Sequence, residues 1–134
     1  MPLLERICRH TLTTPDAPAM ILNDDVLSYL ELDRRSDAIA EHLAQRGAGP
    51  ETVVGLCDQP HPDWLAALLG ILKAGAALLP LYTTYPAGRV QTMLADASVE
   101  TVCVTGPPAR NLADFTGRLL DCTQPLPPEH IRAS

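Results

Sequence analysis

The side chains best suited to chemistry in this 134-residue chain are its four cysteines and four histidines. Cys8, Cys57, Cys103 and Cys122 are scattered, no two form a CxxC pair, and three of them sit inside apolar or strand-like runs. Cys8-Arg9-His10 is the one place where a thiol and an imidazole stand close together. A zinc site would need a second pair at ligand spacing, and there is none. The thiols therefore read as reduced core residues, not as a disulfide framework. Apart from Cys8 beside His10, His10, His42, His61 and His130 show no obvious carboxylate or thiol companion; His42 falls on the polar face of a predicted helix and reads as solvated. His61, between Pro60 and Pro62, reads as part of a helix start. Asp24-Asp25 has the composition of an acid–base pair, but at a hairpin tip two aspartates are turn formers. Trp64 is the only tryptophan, and its place at the start of an apolar helix gives it a core role.

Phosphate-binding α/β proteins carry a glycine-rich loop where a strand turns into a helix, because glycine lets backbone amides approach the anion. No GxGxxG or GxxxxGK[ST] occurs, and no GxSxG elbow exposes a nucleophilic serine. The eight glycines are dispersed, mostly at helix ends. No catalytic, cofactor-binding or metal-ligating residue is assigned to any position, and no cofactor is implied.

The elements that would position such residues are nonetheless clear. Leu3, Leu4, Ile7 and Leu12 predict a short first helix over 3–12, stopped by Pro15 and Pro18. Residues 19–22 and 26–27 flank Asn23-Asp24-Asp25 as a small hairpin. Ser28-Tyr29-Leu30-Glu31 is a capping box. It opens a helix to about Arg46, with Leu32, Ser36, Ile39, Ala40, Leu43 and Ala44 on one face. Strands are predicted over 52–57, 76–81, 101–105 and 118–122. Helices are predicted over 63–74, apolar nearly all round, and from Pro86 to about Ala97. The Leu65–Leu72 stripe belongs to the core or to an interface. Strands alternating with helices through short loops define an α/β fold with a mostly parallel sheet flanked by helices. There is no internal repeat, and the stretch 123–134, with three prolines, reads as a loosely ordered tail.

Composition narrows the job. Hydrophobic residues make up 46% and charged residues 19%, which excludes a disordered chain. Ten basic against sixteen acidic residues leave a net charge of −6, which argues against binding nucleic acid. No apolar run approaches a membrane span and no signal-peptide core opens the chain, so the reading is cytoplasmic, with no membrane partner.

Two stretches then resemble a known family. Leu27-Ser28-Tyr29-Leu30-Glu31-Leu32 is similar to L[TS]YxEL, the first core motif of the adenylation domains of nonribosomal peptide synthetases, within the adenylate-forming superfamily. Residues 72–81, LKAGAALLPL, resemble the second, LKAGxAYVPLD, and Tyr85-Pro86-Ala87-Gly88-Arg89 echoes YPAERL. The stretches DRRSDAIAEHLAQRGAGPETVVGLC and PDWLAALLGI are similar as well, so the resemblance spans about residues 5–122. It implies a partial N-terminal subdomain: residues 1–122 as a truncated adenylation-domain region, 123–134 as the tail. In the family, a later TSGSTG-type loop holds the ATP phosphates and a C-terminal lid brings the catalytic lysine, so no catalytic residue carries over to these positions. Leu81-Tyr82-Thr83 stands where the family has Leu-Asp-Pro, and Leu78 where it has an aromatic. Those departures read as drift in a chain relieved of catalysis, or as a surface adapted to a new contact.

The resemblance leads to an expectation about partners. A partial domain should leave apolar surface open, for example on the helix over 63–74, or an unpaired strand edge. Covering about 800 Å² of such surface is worth roughly 20 kcal/mol before association costs. The expected state is an obligate complex, as a homodimer or with another protein of a nonribosomal peptide pathway. The leading functional expectation is a non-catalytic protein-interaction or scaffolding module of nonribosomal peptide biosynthesis. The alternative is one half of a split enzyme that forms an aminoacyl-adenylate from ATP only with a complementary chain; the third is a fragment without function of its own.

Overall fold

In the structure, a computed structural model, residues 13, 18–22, 25–58, 61 and 63–123 are described. The predicted first helix, Cys8, His10, Asp24, His130 and the stretch from 124 onward lie outside them. Strand β1 (Pro18–Leu22) pairs antiparallel with β2 (Asp25–Ser28), Leu22 standing opposite Asp25. Asp25 therefore opens a strand instead of sitting in the turn.

Helix α1 (Tyr29–Gln45) starts at once, because its cap is already built. Glu31 N–H donates to Ser28 Oγ and Ser28 N–H donates to Glu31 Oε1, both at 3.2 Å. This reciprocal pair satisfies two amides that the first turn leaves without helical partners. Gly47, at φ +95°, ends the helix: Ala48 N–H reaches back to Leu43 O at 3.0 Å, a closure that needs the left-handed backbone.

The rest is a parallel sheet with its crossovers: β3 (Val53–Asp58), α2 (Asp63–Lys73), β4 (Ala77–Tyr82), α3 (Ala87–Asp96), β5 (Thr101–Val104), a 3₁₀ turn (Arg110–Leu112) and β6 (Arg118–Asp121). The strand order is β4-β3-β5-β6, and every neighbouring pair is parallel. The observed bounds lie within a residue of the predicted ones. The 3₁₀ turn has no counterpart in the sequence reading, since its stretch carries no periodic pattern. Side chains alternate across the sheet. Val54, Leu56, Cys103 and Leu120 join α1 and α2 in one core, while Cys57, Leu81, Val102 and Val104 join Val90 and Leu94 of α3 in the other. This is the α/β architecture that the strand–helix alternation predicts.

Helices α1 and α2 cross at very close range at Gly70. A Cβ there would stand 2.5 Å from Ile39 Cγ2 and 2.7 Å from Ile39 Cβ. Lys73 ties the far end of the same pair. Its ammonium donates to Asp33 Oδ1 at 2.9 Å, Ser36 Oγ at 2.8 Å and Asp37 Oδ1 at 2.8 Å. Burial alone pulls the Lys73 pKa down, but the hydrogen bonds and charges of Asp37 and Asp33 outweigh it and leave the value raised. Gly75, at φ +85°, then closes α2, with Ala76 N–H bonded to Ile71 O.

Three expectations change. The apolar helix α2 does not present an open face: Leu65, Leu68 and Leu72 are half-buried. Among the described residues the exposed large hydrophobics are Tyr82 and Leu119 instead. The reason is α1, which lies along α2 and covers much of what the sheet does not. His42 is buried, not solvated, at 6% exposure. It flanks the apolar stripe of a helix that packs against both α2 and the hairpin, so a flank position that a one-sided surface helix would leave wet is covered. Trp64 is half-buried against the α1–α2 core, a partial version of its expected role.

Candidate functional site at the carboxyl edge of the sheet

Between β3 and β5 the strand order reverses, since β4 lies on one side of β3 and β5 on the other. In an open α/β sheet this reversal leaves a crevice at the carboxyl ends of the strands, where ligands bind. Here that edge is formed by Asp58 at the end of β3, Tyr82 at the end of β4 and Thr105 just after β5. Chemistry would be placed there first, so what occupies it decides what the chain can do.

The first occupant is the start of α2. A helix N-terminus facing such a crevice attracts phosphate through its free amides and its dipole. In this chain the position is taken by Asp63, whose carboxylate is buried and ion-paired with Arg35 of α1. Asp63 N–H also donates to His61 Nδ1 at 3.0 Å. His61 thus accepts the Asp63 amide through its ring nitrogen and the Trp64 amide through its carbonyl, while the Asp63 carboxylate pairs with Arg35. His61 does sit at the helix start, as its place between two prolines predicts. Its Nδ1 also lies 3.6 Å from Asp63 Oδ2, so His61 has the carboxylate neighbour that the sequence did not show.

The second occupant is the segment after β4. Asn111, buried in the 3₁₀ turn, donates from Nδ2 to Tyr82 O and to Tyr85 O, both at 3.0 Å. Those two bonds pin the turn 82–85 to the segment that follows β5. The rings of Tyr82 and Tyr85 meet edge to face with centroids 5.2 Å apart. The Arg89 guanidinium lies 4.1 Å above the Tyr85 ring, a cation–π contact. Tyr82, at 41% exposure, is left as an aromatic surface beside this latch. The residue that departs from the family pattern is therefore fixed by its backbone and open at its ring.

The open concavities lie at the opposite end. A groove of about 280 Å³ runs between Arg46, Glu51, Val53, Ser98 and Thr101, at the amino ends of β3 and β5. A second, lined by Arg118, Thr116 and Glu100, continues it toward β6. Both mix charges of either sign and lie away from the carboxyl edge. Among the described residues no group of three or more His, Cys, Asp or Glu gathers as metal ligands do. No described helix is long and apolar enough to cross a membrane.

The described thiols belong to the core. Burial pushes the Cys57 thiol up to about 11. Cys103 is held well above its ordinary value by a hydrogen bond with Cys122, then by burial and by the electrostatic effect of Cys122 and Cys57. Neither Cys57 nor Cys103 carries the low pKa that a nucleophilic cysteine needs. The sequence reading missed the Arg35–Asp63 pair and the Asn111 latch. Arg35 and Asp63 are 28 positions apart, and Asn111 lies in a stretch without pattern. The Tyr85–Arg89 contact was missed as well, because Tyr85 lies before α3 begins and helical spacing does not pair the two.

Fold and site together define a class: a doubly wound α/β unit, a parallel sheet with helices packed on both faces. The chain belongs to the AMP-binding enzyme family, whose model matches residues 8–131. It is 33% identical over 118 residues to bacitracin synthase 1 of Bacillus licheniformis, covering 88% of this chain and 2% of that protein. It is 43% identical over 86 residues to gramicidin S synthase 2 of Brevibacillus brevis, covering 64% of this chain and 2% of that one. Among solved structures, the nonribosomal peptide synthetase FmoA3 (S1046A), in its alpha-methyl-L-serine-AMP bound form, superposes with a TM-score of 0.78 at 31% identity. That match covers 91% of this chain and 14% of the other. The chain thus corresponds to an N-terminal portion of an adenylation domain, as the two core motifs at Leu27–Leu32 and Leu72–Leu81 imply, and spans 2% of each of the two synthases and 14% of the FmoA3 chain.

Proposed function

We propose that this chain acts as a non-catalytic adenylation-domain module: a protein-interaction or scaffolding element of nonribosomal peptide biosynthesis in the cytoplasm. It turns over no ATP by itself. What supports the reading is that the sequence holds no TSGSTG-type phosphate loop, and that the start of α2 at the carboxyl edge is occupied by the Arg35–Asp63 ion pair. Its partner is a second copy of itself or another protein of the pathway. The surfaces that would meet that partner are the exposed Leu119 on β6 and the exposed Tyr82 ring.

The test is amino-acid-dependent exchange of pyrophosphate into ATP, run first on the purified chain. No exchange is expected with any proteinogenic amino acid; exchange by the chain alone overturns the reading. The same preparation, added to the adenylation proteins of its pathway, is expected to raise their solubility or alter their activity. A second reading has one observation in its favour: the backbone superposes on a nonribosomal peptide synthetase over 91% of its length, so it retains the form that a complementary chain would fit. In that case the chain is one half of a split enzyme. Exchange would then arise only when a chain bearing the phosphate-binding loop is added.

A further inference from the structure

We propose that the groove at the amino ends of β3 and β5 binds a small aliphatic amine, held by the Glu51 carboxylate and the Ser98 hydroxyl. The groove forms where the two strands part. They are in register at Gly55–Val102 and Leu56–Cys103, and the ladder stops there although β3 runs back to Val53 and β5 to Thr101. The resulting space of about 280 Å³ has Leu43, Val53 and Val54 among its apolar walls, a volume near the lower end of small-molecule sites.

Two residues on its rim depart from the chemistry of their own turns. Helices α1, α2 and α3 close alike: the residue after the cap takes a left-handed backbone, and the next amide reaches back five residues. That residue is Gly47 in α1 and Gly75 in α2, but in α3 it is Ser98, at φ +54°. Val99 N–H completes the α3 closure on Leu94 O at 2.9 Å. Glu51 is the second departure. Thr52 N–H closes a turn on Gly49 O at 3.1 Å, with Pro50 second and Glu51 third at φ +69°. A turn of that kind favours glycine third. Glu51 and Ser98 are the non-glycine residues with positive φ among those described, and both line this one groove. Both are exposed, and no hydrogen bond or ion pair with a described residue holds either side chain. A side chain kept where glycine folds more easily points to a use outside the fold.

Charge selects the ligand. Glu51 and Glu100 stand against Arg46 in the lining, which leaves one negative charge. Helices α1 and α3 both end here, and the carboxyl ends of helices carry partial negative charge. The whole chain, at −6, adds a field that favours cations. An ammonium on a short aliphatic body meets these conditions, its head toward Glu51 and Ser98 and its body against Leu43 and Val53. This site goes beyond the role proposed above and does not rest on it.

The test is an NMR titration of the full chain with n-pentylammonium chloride, against a reference held at the same ionic strength with sodium chloride. Saturable shifts are expected at amides within residues 47–54 and 97–101, and none with sodium pentanoate. Glu51→Gln keeps a side chain on the turn and removes its charge, so it should raise the dissociation constant about threefold or more. Ser98→Gly and Glu51→Gly give each turn the residue it favours. Each should raise the melting temperature and weaken pentylammonium binding together, a split that a merely structural role would not produce. No saturable shift, equal shifts with pentanoate, or variants that bind as the parent does would overturn the proposal. So would a glycine variant that lowers the melting temperature, since its side chain would then serve the fold.

Discussion

Lys73 carries more of the α1–α2 contact than any other charged residue described. Its side chain is 14% exposed, and its three donors are spent on Asp33, Ser36 and Asp37 of the facing helix. Asp33 is 27% exposed and Asp37 63%, so the two carboxylates are not equal partners. Lys73→Met keeps much of the aliphatic stem but leaves Asp33 facing a partly dry site; it should cost about 2 kcal/mol in urea unfolding. Asp37→Asn, at the exposed end, should cost less than about 1 kcal/mol. The pH dependence has a definite sign. Lys73 is raised in the folded state, so its contribution is complete below its unfolded value of 10.5 and is lost as pH rises through the folded one. Cys57 acts in the same direction and earlier. Its thiol ionises at 9.0 when unfolded and near 11 when folded, so stability should fall between those values by up to about 3 kcal/mol. Urea unfolding at pH steps across that interval checks this, and Cys57→Ala should flatten the slope.

Glycines separate what is packed from what is merely helical, and two of them make opposite predictions. At Gly70 an added methyl meets Ile39 at a distance side chains do not tolerate, so Gly70→Ala should force α1 and α2 apart at about 2–3 kcal/mol. At Gly88, in the first turn of α3, the same methyl meets nothing within 4 Å, so Gly88→Ala should stabilise by up to about 1 kcal/mol. Thermal unfolding of the two variants side by side gives both signs in one experiment. This contrast also marks what sequence could and could not reveal. The capping box at Ser28, the Lys-Ala-Gly stop of α2 and the β-branched runs of β3 and β5 are local devices, and each was legible because its physics closes within a few residues. Gly70 looks like any glycine in an apolar helix until α1 is laid across it. His42 failed for the same reason: a helical wheel assigns polarity to a face, but burial depends on how many neighbours the helix has. The carboxyl edge was least legible, because Asn111, Tyr82 and Tyr85 meet only through the crossover from β4 to β5.

The four-stranded sheet ends in two edges, and they are not equivalent. Edge strand β4 carries Pro80, which withholds an N–H from any further ladder, and it ends beside the Asn111 latch. Edge strand β6 has no proline, and its register leaves Leu119 at 40% exposure between Arg118 and Leu120. Among the described residues nothing pairs with the outer side of β6, and an open edge beside an exposed apolar side chain invites strand addition. If the chain works by docking, β6 is the edge that docks and β4 the edge that is guarded. Leu119→Lys places a charge at the centre of that strand without touching the core residue Leu120. It should leave the urea midpoint within about 0.5 kcal/mol of the parent, as surface changes usually do. The same change should weaken association tenfold or more, a loss of about 1.4 kcal/mol or greater. Sedimentation of the chain alone reads the self-complex, and titration against a pathway adenylation protein reads the other partner. If association is untouched by Leu119→Lys but falls with Tyr82→Ser, the docking surface lies on the carboxyl edge, and the aromatic at the family's acidic position is what the partner holds.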